Sequence, residues 1–332
     1  MRRTTLLPVL LCATLAIFLG IAPVRVTADD ETGKPAPARV AFQCDDAQGQ
    51  MQILIDGKTV AVYRYGKDVD LPHYFPLYSP SGKPLTIQQT DPYPHHRSLW
   101  FADTVQLAGQ RKASFYNALY SKDKKDPKAP YRDQIRHVEF VPGKVAGNQG
   151  EIGMKLLWVI DGQTPVLDEQ RQLRVVALDQ GQYLLDMQFT VIAAYGNVQF
   201  LSDQAHYAWP YVRMNPEFSV QKGGTMTNSE GGVNQAGTHN KRAYWIDYSN
   251  RVEGATEGMA FFLYDHKQPA PLWLTRDYGT FGPRRPNPQN GKPFVLKKGE
   301  SLKQHVGILV HSGDVKAGQV EERYQQYADG KL

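Results

Sequence analysis

Short strand-like runs, repeatedly cut by residues that favour a left-handed backbone, limit what this chain can become. Gln52-Ile53-Leu54-Ile55 leads into Asp56-Gly57 and then Thr59-Val60-Ala61-Val62-Tyr63. Asp-Gly supplies the positive φ angles of a two-residue hairpin turn, so the segment predicts two antiparallel strands. The same logic returns at Met154 to Ile160, Asp161-Gly162 and Val166 onward, and again where Gln172 to Val176 and Tyr183 to Ala193 bracket Asp179-Gln180-Gly181. Phe218-Ser219-Val220, Met259 to Tyr264, Pro271 to Thr275 and His305 to His311 continue the strand series. Helical periodicity is confined to the end, where Lys316 to Tyr327 predicts a helix with Val320, Tyr324 and Tyr327 turned to the body. With no repeat at solenoid or propeller spacing, the pattern predicts an all-β protein, a sandwich or barrel, with one short C-terminal helix. Nothing between Val40 and His311 reads as a linker, so residues 40–332 are expected to form one domain.

The N-terminus predicts export. Arg2 and Arg3 precede an apolar run from Leu6 to Ala22, and Val26-Thr27-Ala28 places small residues before a cut at Asp29. Cys12 lies within that run, not at its end where a lipoprotein cysteine would stand. Residues 1–28 are thus an expected signal peptide and the polar, Pro-containing stretch 29–39 a flexible leader, giving a periplasmic or extracellular protein. Loss of Arg2, Arg3 and Arg25 with the signal lowers the formal charge from +5 to +2. So small an excess gives no electrostatic case for nucleic acid. No later apolar stretch is long enough to span a bilayer, so no stable membrane insertion is expected after cleavage. Cys44 would be the one mature cysteine, which excludes an intramolecular disulfide and a thiolate metal cluster. A small buried hydrophobe is its expected role.

Four residue groups could carry chemistry. In Asp91-Pro92-Tyr93-Pro94-His95-His96-Arg97-Ser98-Leu99-Trp100, histidine offers acid–base chemistry, Arg97 a fork for a carboxylate and Trp100 a face for a sugar. If that stretch is extended, His95 and His96 point to opposite faces and only one lines a site. Asp203-Gln204-Ala205-His206-Tyr207-Ala208-Trp209-Pro210 with Arg213 is a dense polar–aromatic loop after a strand. Glu230, among glycines 223–232, is a candidate acid or base, or a solvated turn carboxylate. In Trp273-Leu274-Thr275-Arg276-Asp277-Tyr278-Gly279, Arg276 and Tyr278 share a face if the segment is extended, and tyrosine beside arginine can transfer a proton. His311-Ser312-Gly313-Asp314 is expected to be structural. No metal-protease, serine-hydrolase or dinucleotide motif is present in the sequence.

Taken in order, these groups resemble a bacterial family of secreted proteins often labelled "methane oxygenase PmoA". The resemblance runs from the first hairpin to the C-terminal helix. It is carried by Tyr74-Phe75-Pro76-Leu77 with Ser81-Gly82, Pro94-His95-His96-Arg97-Ser98-Leu99-Trp100-Phe101 and Asn228-Ser229-Glu230-Gly231. It continues through Arg242-Ala243-Tyr244-Trp245-Ile246-Asp247-Tyr248-Ser249, Asp265-His266, Trp273, Arg276-Asp277-Tyr278-Gly279 and Val310-His311-Ser312-Gly313-Asp314. The chain departs from many relatives at His239-Asn240 and at His266-Lys267-Gln268-Pro269. The resemblance implies a large antiparallel β-sandwich similar to the galactose-mutarotase supersandwich, a fold that handles sugars through histidines and carboxylates on a concave sheet. The expected function is therefore a lyase, hydrolase or epimerase acting on a sugar or oligosaccharide without a cofactor. His95 or His96, Glu230 and Tyr278 would do the proton chemistry, while Arg97, Trp100, His206, Arg213 and Arg276 would bind. Two alternatives stay open: a non-catalytic carbohydrate-binding module, and an oxygenase-like metal enzyme liganded by His95, His96 and His206.

Overall fold

A computed structural model describes residues 38–332 except 124, 127, 202–206, 265–268 and 287–290, together with the backbone of the paired strands Ala28–Asp29 and Pro35–Ala36. The expected signal peptide, His206 and the 265–268 part of the family pattern lie outside the described residues. The hairpins form where the turn dipeptides place them. Gln50–Ile55 pairs with Lys58–Arg64 across Asp56 (φ 50°) and Gly57 (φ 78°). Gln149–Ile160 pairs with Thr164–Ala177 across Asp161 (φ 52°) and Gly162 (φ 72°).

Among the described residues the strands build two eight-stranded antiparallel sheets and a smaller four-stranded one. The first sheet runs in the order Gln134–Ala146, Gln149–Ile160, Thr164–Ala177, Tyr183–Ile192, Ser301–Ser312, Ala255–Leu263, Trp245–Val252 and Thr225–Asn228. The second runs Trp273–Arg276, Thr280–Pro283, Tyr211–Arg213, Leu99–Trp100, His73–Leu77, Lys58–Arg64, Gln50–Ile55 and Val40–Asp45. The protein is thus mostly β, a large antiparallel sandwich.

Side-chain alternation sorts the two faces of the first sheet. Ile246, Tyr248, Phe261 and Ile308 join one apolar core with Ile53, Tyr63, Val212 and Phe281 of the second sheet. Trp245, Phe262 and Leu309 point the other way, where Val320, Tyr324 and Tyr327 of the C-terminal helix Val320–Ala328 cover them. The helix starts later than its composition suggests. Asp314 Oδ1 accepts from the backbone of Lys316 and Ala317, holding that stretch in turns, and Gln319 (φ 52°) breaks the path into the helix. A loop clasp ties the layers together: Glu257 of the first sheet, buried, accepts from the Ser81 backbone and hydroxyl at 2.7 Å each.

Two expectations are corrected and one strand is added. Phe218-Ser219-Val220 is not a strand but the junction of the 3-10 turns Pro216–Phe218 and Val220–Lys222, because Asn215 accepts from the Glu217 backbone and Pro216 sets a turn. Cys44 is exposed, since it lies on the outermost strand of the second sheet. The added strand is the 13-residue Gln134–Ala146, whose sequence shows no strand pattern. Pro142 and two bulges interrupt its pattern, and its place at the sheet edge is what accommodates the proline. No helix among the described residues is long and apolar enough to cross a membrane.

Gly307 lies directly under Tyr327, where an added Cβ would meet ring atoms at 2.8–3.1 Å. Tyr327 is fully buried and donates to Asp186 Oδ1 at 2.9 Å, so it cannot swing aside freely. Gly307→Ala should therefore cost about 1–3 kcal/mol through overpacking. Urea unfolding would read that loss, with earlier proteolysis of the C-terminal helix; unchanged stability would show that the helix docks loosely.

Candidate functional site

Three short strands of the second sheet set the site. Leu99–Trp100 pairs with Tyr211–Arg213, which pairs with Thr280–Pro283. Leu99, Val212 and Phe281 share one face and enter the core, where Phe281 meets Tyr248 and Phe261 of the first sheet. Strand alternation then sends Trp100, Tyr211, Arg213 and Thr280 to the opposite, outer face. Trp100 and Tyr211 are cross-strand neighbours, and their rings stack at 4.9 Å and 16°.

The segment 91–97 folds over this face. The Tyr93 backbone donates to Thr90 O and the His96 backbone to Tyr93 O, both at 2.9 Å, so the stretch is a turn and not a strand. The expected opposite placement of His95 and His96 is thereby corrected: the turn puts both imidazoles together, ring centroids 4.6 Å apart. Tyr93 stacks on His96 at 4.9 Å and on Tyr278 at 5.2 Å. Tyr116 lies 2.9 Å from His96 Nε2 through its hydroxyl and stacks on Tyr207 at 4.5 Å. His95 reaches the Tyr120 hydroxyl at 3.2 Å, on the exposed side.

Arg213 is the cation of this cluster. It is buried, donates through Nη1 to Tyr278 O at 2.8 Å, and places its guanidinium 4.4 Å from the centre of the Tyr278 ring. Burial lowers its pKa, opposed by the neighbouring tyrosines, chiefly Tyr278 and Tyr93. Burial, then His95 and Arg213, push the His96 pKa down to about 3, so the imidazole is neutral near pH 7. Three buried polar atoms in this cluster lack a partner: His96 Nδ1, Trp100 Nε1 and Arg213 Nε. Unpaired buried donors are costly and rare, and a perturbed histidine beside them marks a candidate site.

Of the residues singled out from the sequence, His95, His96, Trp100, Arg213 and Tyr278 converge here. Trp100 does so as a buried floor, its ring packed against Tyr211, His96 and Tyr116, so it offers no open face to a sugar. Arg97 goes elsewhere: Asp70 takes its fork at 2.7 and 2.9 Å in a buried ion pair. Arg276 and Tyr278 do not share a strand face, because the strand ends at Arg276. Arg276 contacts the His239 ring at 3.0 Å. Glu230 is exposed in a turn after Thr225–Asn228, where it accepts from Ser229 Oγ; among the described residues no hydrogen bond or ion pair links it to the ring cluster. No group of three metal-binding side chains occurs among the described residues, and His206 lies outside them. The residue the sequence did not single out is Tyr116. It stands 20 positions from its partner His96 in a stretch with no motif, so only the fold joins them.

The chain is a β-sandwich protein with a tyrosine–histidine–arginine cluster, its candidate site, on the outer face of the second sheet. Residues 50–325 match a family described as a family of unknown function, DUF6807, and the chain belongs to it. No curated protein matches the chain. Among solved structures it is similar to a galactose 1-epimerase from Lactobacillus acidophilus NCFM, at 9% identity and a TM-score of 0.36, over 83% of this chain and 99% of that one. It is also similar to an aldose epimerase homologue from C. elegans, at 8% identity and a TM-score of 0.29, over 83% and 99% of the two chains. A polysaccharide lyase matches at 13% identity and a TM-score of 0.35, over 85% of this chain but only 33% of the lyase, so the chain spans about a third of that protein's length.

The buried charges and histidines set two expected outcomes. Arg97→Ala leaves Asp70 buried without its cation and should cost about 3–5 kcal/mol in urea unfolding; a loss under 1 kcal/mol would free Arg97 for another role. Burial also pushes His73 down to about 3 and, with Arg171, His137 down to about 4. With His96, these groups bind protons in the unfolded chain from about pH 6.5 but resist them when folded. Stability should therefore be full above pH 6.5 and fall by on the order of a few kcal/mol as pH drops toward 4. Thermal unfolding against pH reads this, and a flat profile from pH 7 to 4.5 would refute it.

Proposed function

We propose that the protein acts on a sugar or oligosaccharide at the outer face of the second sheet, with His96 as the proton-transfer group. The observation that carries this reading is the state of His96: buried, neutral, held by Tyr116 at Nε2, with Nδ1 unpartnered. If the Tyr116 hydroxyl donates to Nε2, Nδ1 carries the proton and can donate a hydrogen bond to a sugar oxygen; if Tyr116 accepts, Nε2 carries the proton and the free lone pair on Nδ1 can take one from the substrate. The Tyr116 hydrogen bond holds the ring in place in either case. Arg213 stands close enough to depress the His96 pKa and can stabilise negative charge that develops on a reacting oxygen. Tyr93, Tyr278 and His95 are half-buried and present polar edges to the surface, as a polyhydroxyl ligand requires. Epimerisation, elimination and hydrolysis of a sugar all use such a proton-transfer group.

A second reading has its own support. An imidazole that takes up a proton only near pH 3 is a weak base, which suits a group that hydrogen-bonds a sugar without reacting. Turnover of a panel of neutral and oxidised oligosaccharides, with products read by mass spectrometry, separates the two. On a substrate so identified, His96→Gln should lower the rate by about 10²–10⁴-fold with folding intact, and Tyr116→Phe by less. Saturable binding without turnover, weakened only modestly by His96→Gln, would establish the binding module instead. An unchanged rate would remove His96 from the chemistry.

A further inference from the structure

Three of the protein's buried arginines share one feature. Arg97 faces Asp70, Arg171 faces Glu169 and Arg285 faces Asp103, each pair almost completely buried. A buried guanidinium normally has such a counter-charge, because an isolated one carries a large desolvation cost. Arg213 is 5% exposed, and no carboxylate lies within ion-pair distance of it among the described residues. Its neutral partners are all on one side. Nη1 donates to Tyr278 O at 2.8 Å and lies 3.5 Å from Thr280 Oγ1, while the plane rests on the Tyr278 ring. The opposite edge, Nε with Nη2, makes no hydrogen bond among the described residues, and Nε is fully buried.

That edge has a specific shape. Nε–H and Nη2–H are parallel donors, spaced to meet both oxygens of one carboxylate. A single hydroxyl would satisfy one of them and leave the charge unpaired. Lysine would offer a point charge in place of the fork. The edge belongs to a cluster in which Trp100 Nε1 and His96 Nδ1 are also buried without a hydrogen-bond partner. The half-buried rings of Tyr93 and Tyr278 connect it to the surface.

We propose that Arg213 receives the carboxylate of an acidic sugar through its Nε and Nη2 edge, so that the ligand is a uronic acid residue and not a neutral sugar. This rests on the reading of the face as a sugar site and narrows its substrate class. The incoming carboxylate supplies the counter-charge the fold withholds, and it sets the sugar ring beside His96.

The test compares oligomers of galacturonate, glucuronate, mannuronate and guluronate with their methyl esters and with the matching neutral oligosaccharides, by calorimetry on the full chain. The ester keeps the ring and removes the charge. At least one acid should bind 10-fold or more tighter than its ester, and added salt should narrow that gap. Arg213→Lys should lose 10-fold or more on the acid while leaving the ester and neutral affinities within about 2-fold. Its retained charge keeps the variant foldable, and Arg213→Gln provides the stronger removal where it folds. Equal affinity for acid and ester overturns the carboxylate assignment and leaves the sugar reading standing. An acid preference that survives in Arg213→Lys and Arg213→Gln places the carboxylate elsewhere. Binding of none of the acids, esters or neutral oligomers overturns the sugar reading and this inference together.

Discussion

Alternation along three short paired strands governs the rest of this structure. Because Leu99, Val212 and Phe281 must enter the core, their neighbours Trp100, Tyr211, Arg213 and Thr280 are forced onto the other face of the same sheet. A one-residue slip of Tyr211–Arg213 would turn Arg213 inward between the sheets and Val212 outward. The face is thus held by the hydrophobic core behind it. The rings that cover the face then stack on what alternation put there: Trp100 on Tyr211, His96 against Trp100, Tyr93 on His96 and Tyr278.

Charge is distributed with the same economy. The ion pairs Asp70–Arg97 and Glu169–Arg171 anchor inner turns and strands, and both are nearly inaccessible. Asp186 gathers Arg174, His305 and Tyr327 where the C-terminal helix docks. These are structural uses of charge, in which removing one partner leaves the other stranded. Around His96 the pattern changes. Its electrostatic neighbours are an imidazole and an arginine, and both hold it neutral. A site built from phenols, imidazoles and one guanidinium is rich in donors and exchangeable protons, which a polyhydroxyl acid would use.

The sequence carried the fold further than the site. Asp56-Gly57 and Asp161-Gly162 could be read directly because a positive φ at two successive residues leaves few alternatives. Strand Gln134–Ala146 could not, since its bulges break the two-residue period that identifies strands. In the site, His95, His96, Arg213 and Tyr278 were visible as reactive residue types near turn signals. What was invisible was which of them would be occupied. Arg97 and Arg213 look equivalent as residues, yet Asp70 is 27 positions from Arg97 in the chain and claims it completely. The turn that unites His95 with His96 depends on backbone hydrogen bonds from Tyr93 and His96, which a reading of strand alternation reverses. Tyr116 carried no signal at all, for its role is defined only by its distance from His96.

The most direct test of this account is a crystal structure of the protein with a bound acidic oligosaccharide. The sugar should lie on the outer face of the second sheet, its carboxylate spanning Nε and Nη2 of Arg213 and its ring beside His96 and the edges of Tyr93 and Tyr278. A sugar bound on another surface, with the Arg213 edge still facing only protein, would contradict it.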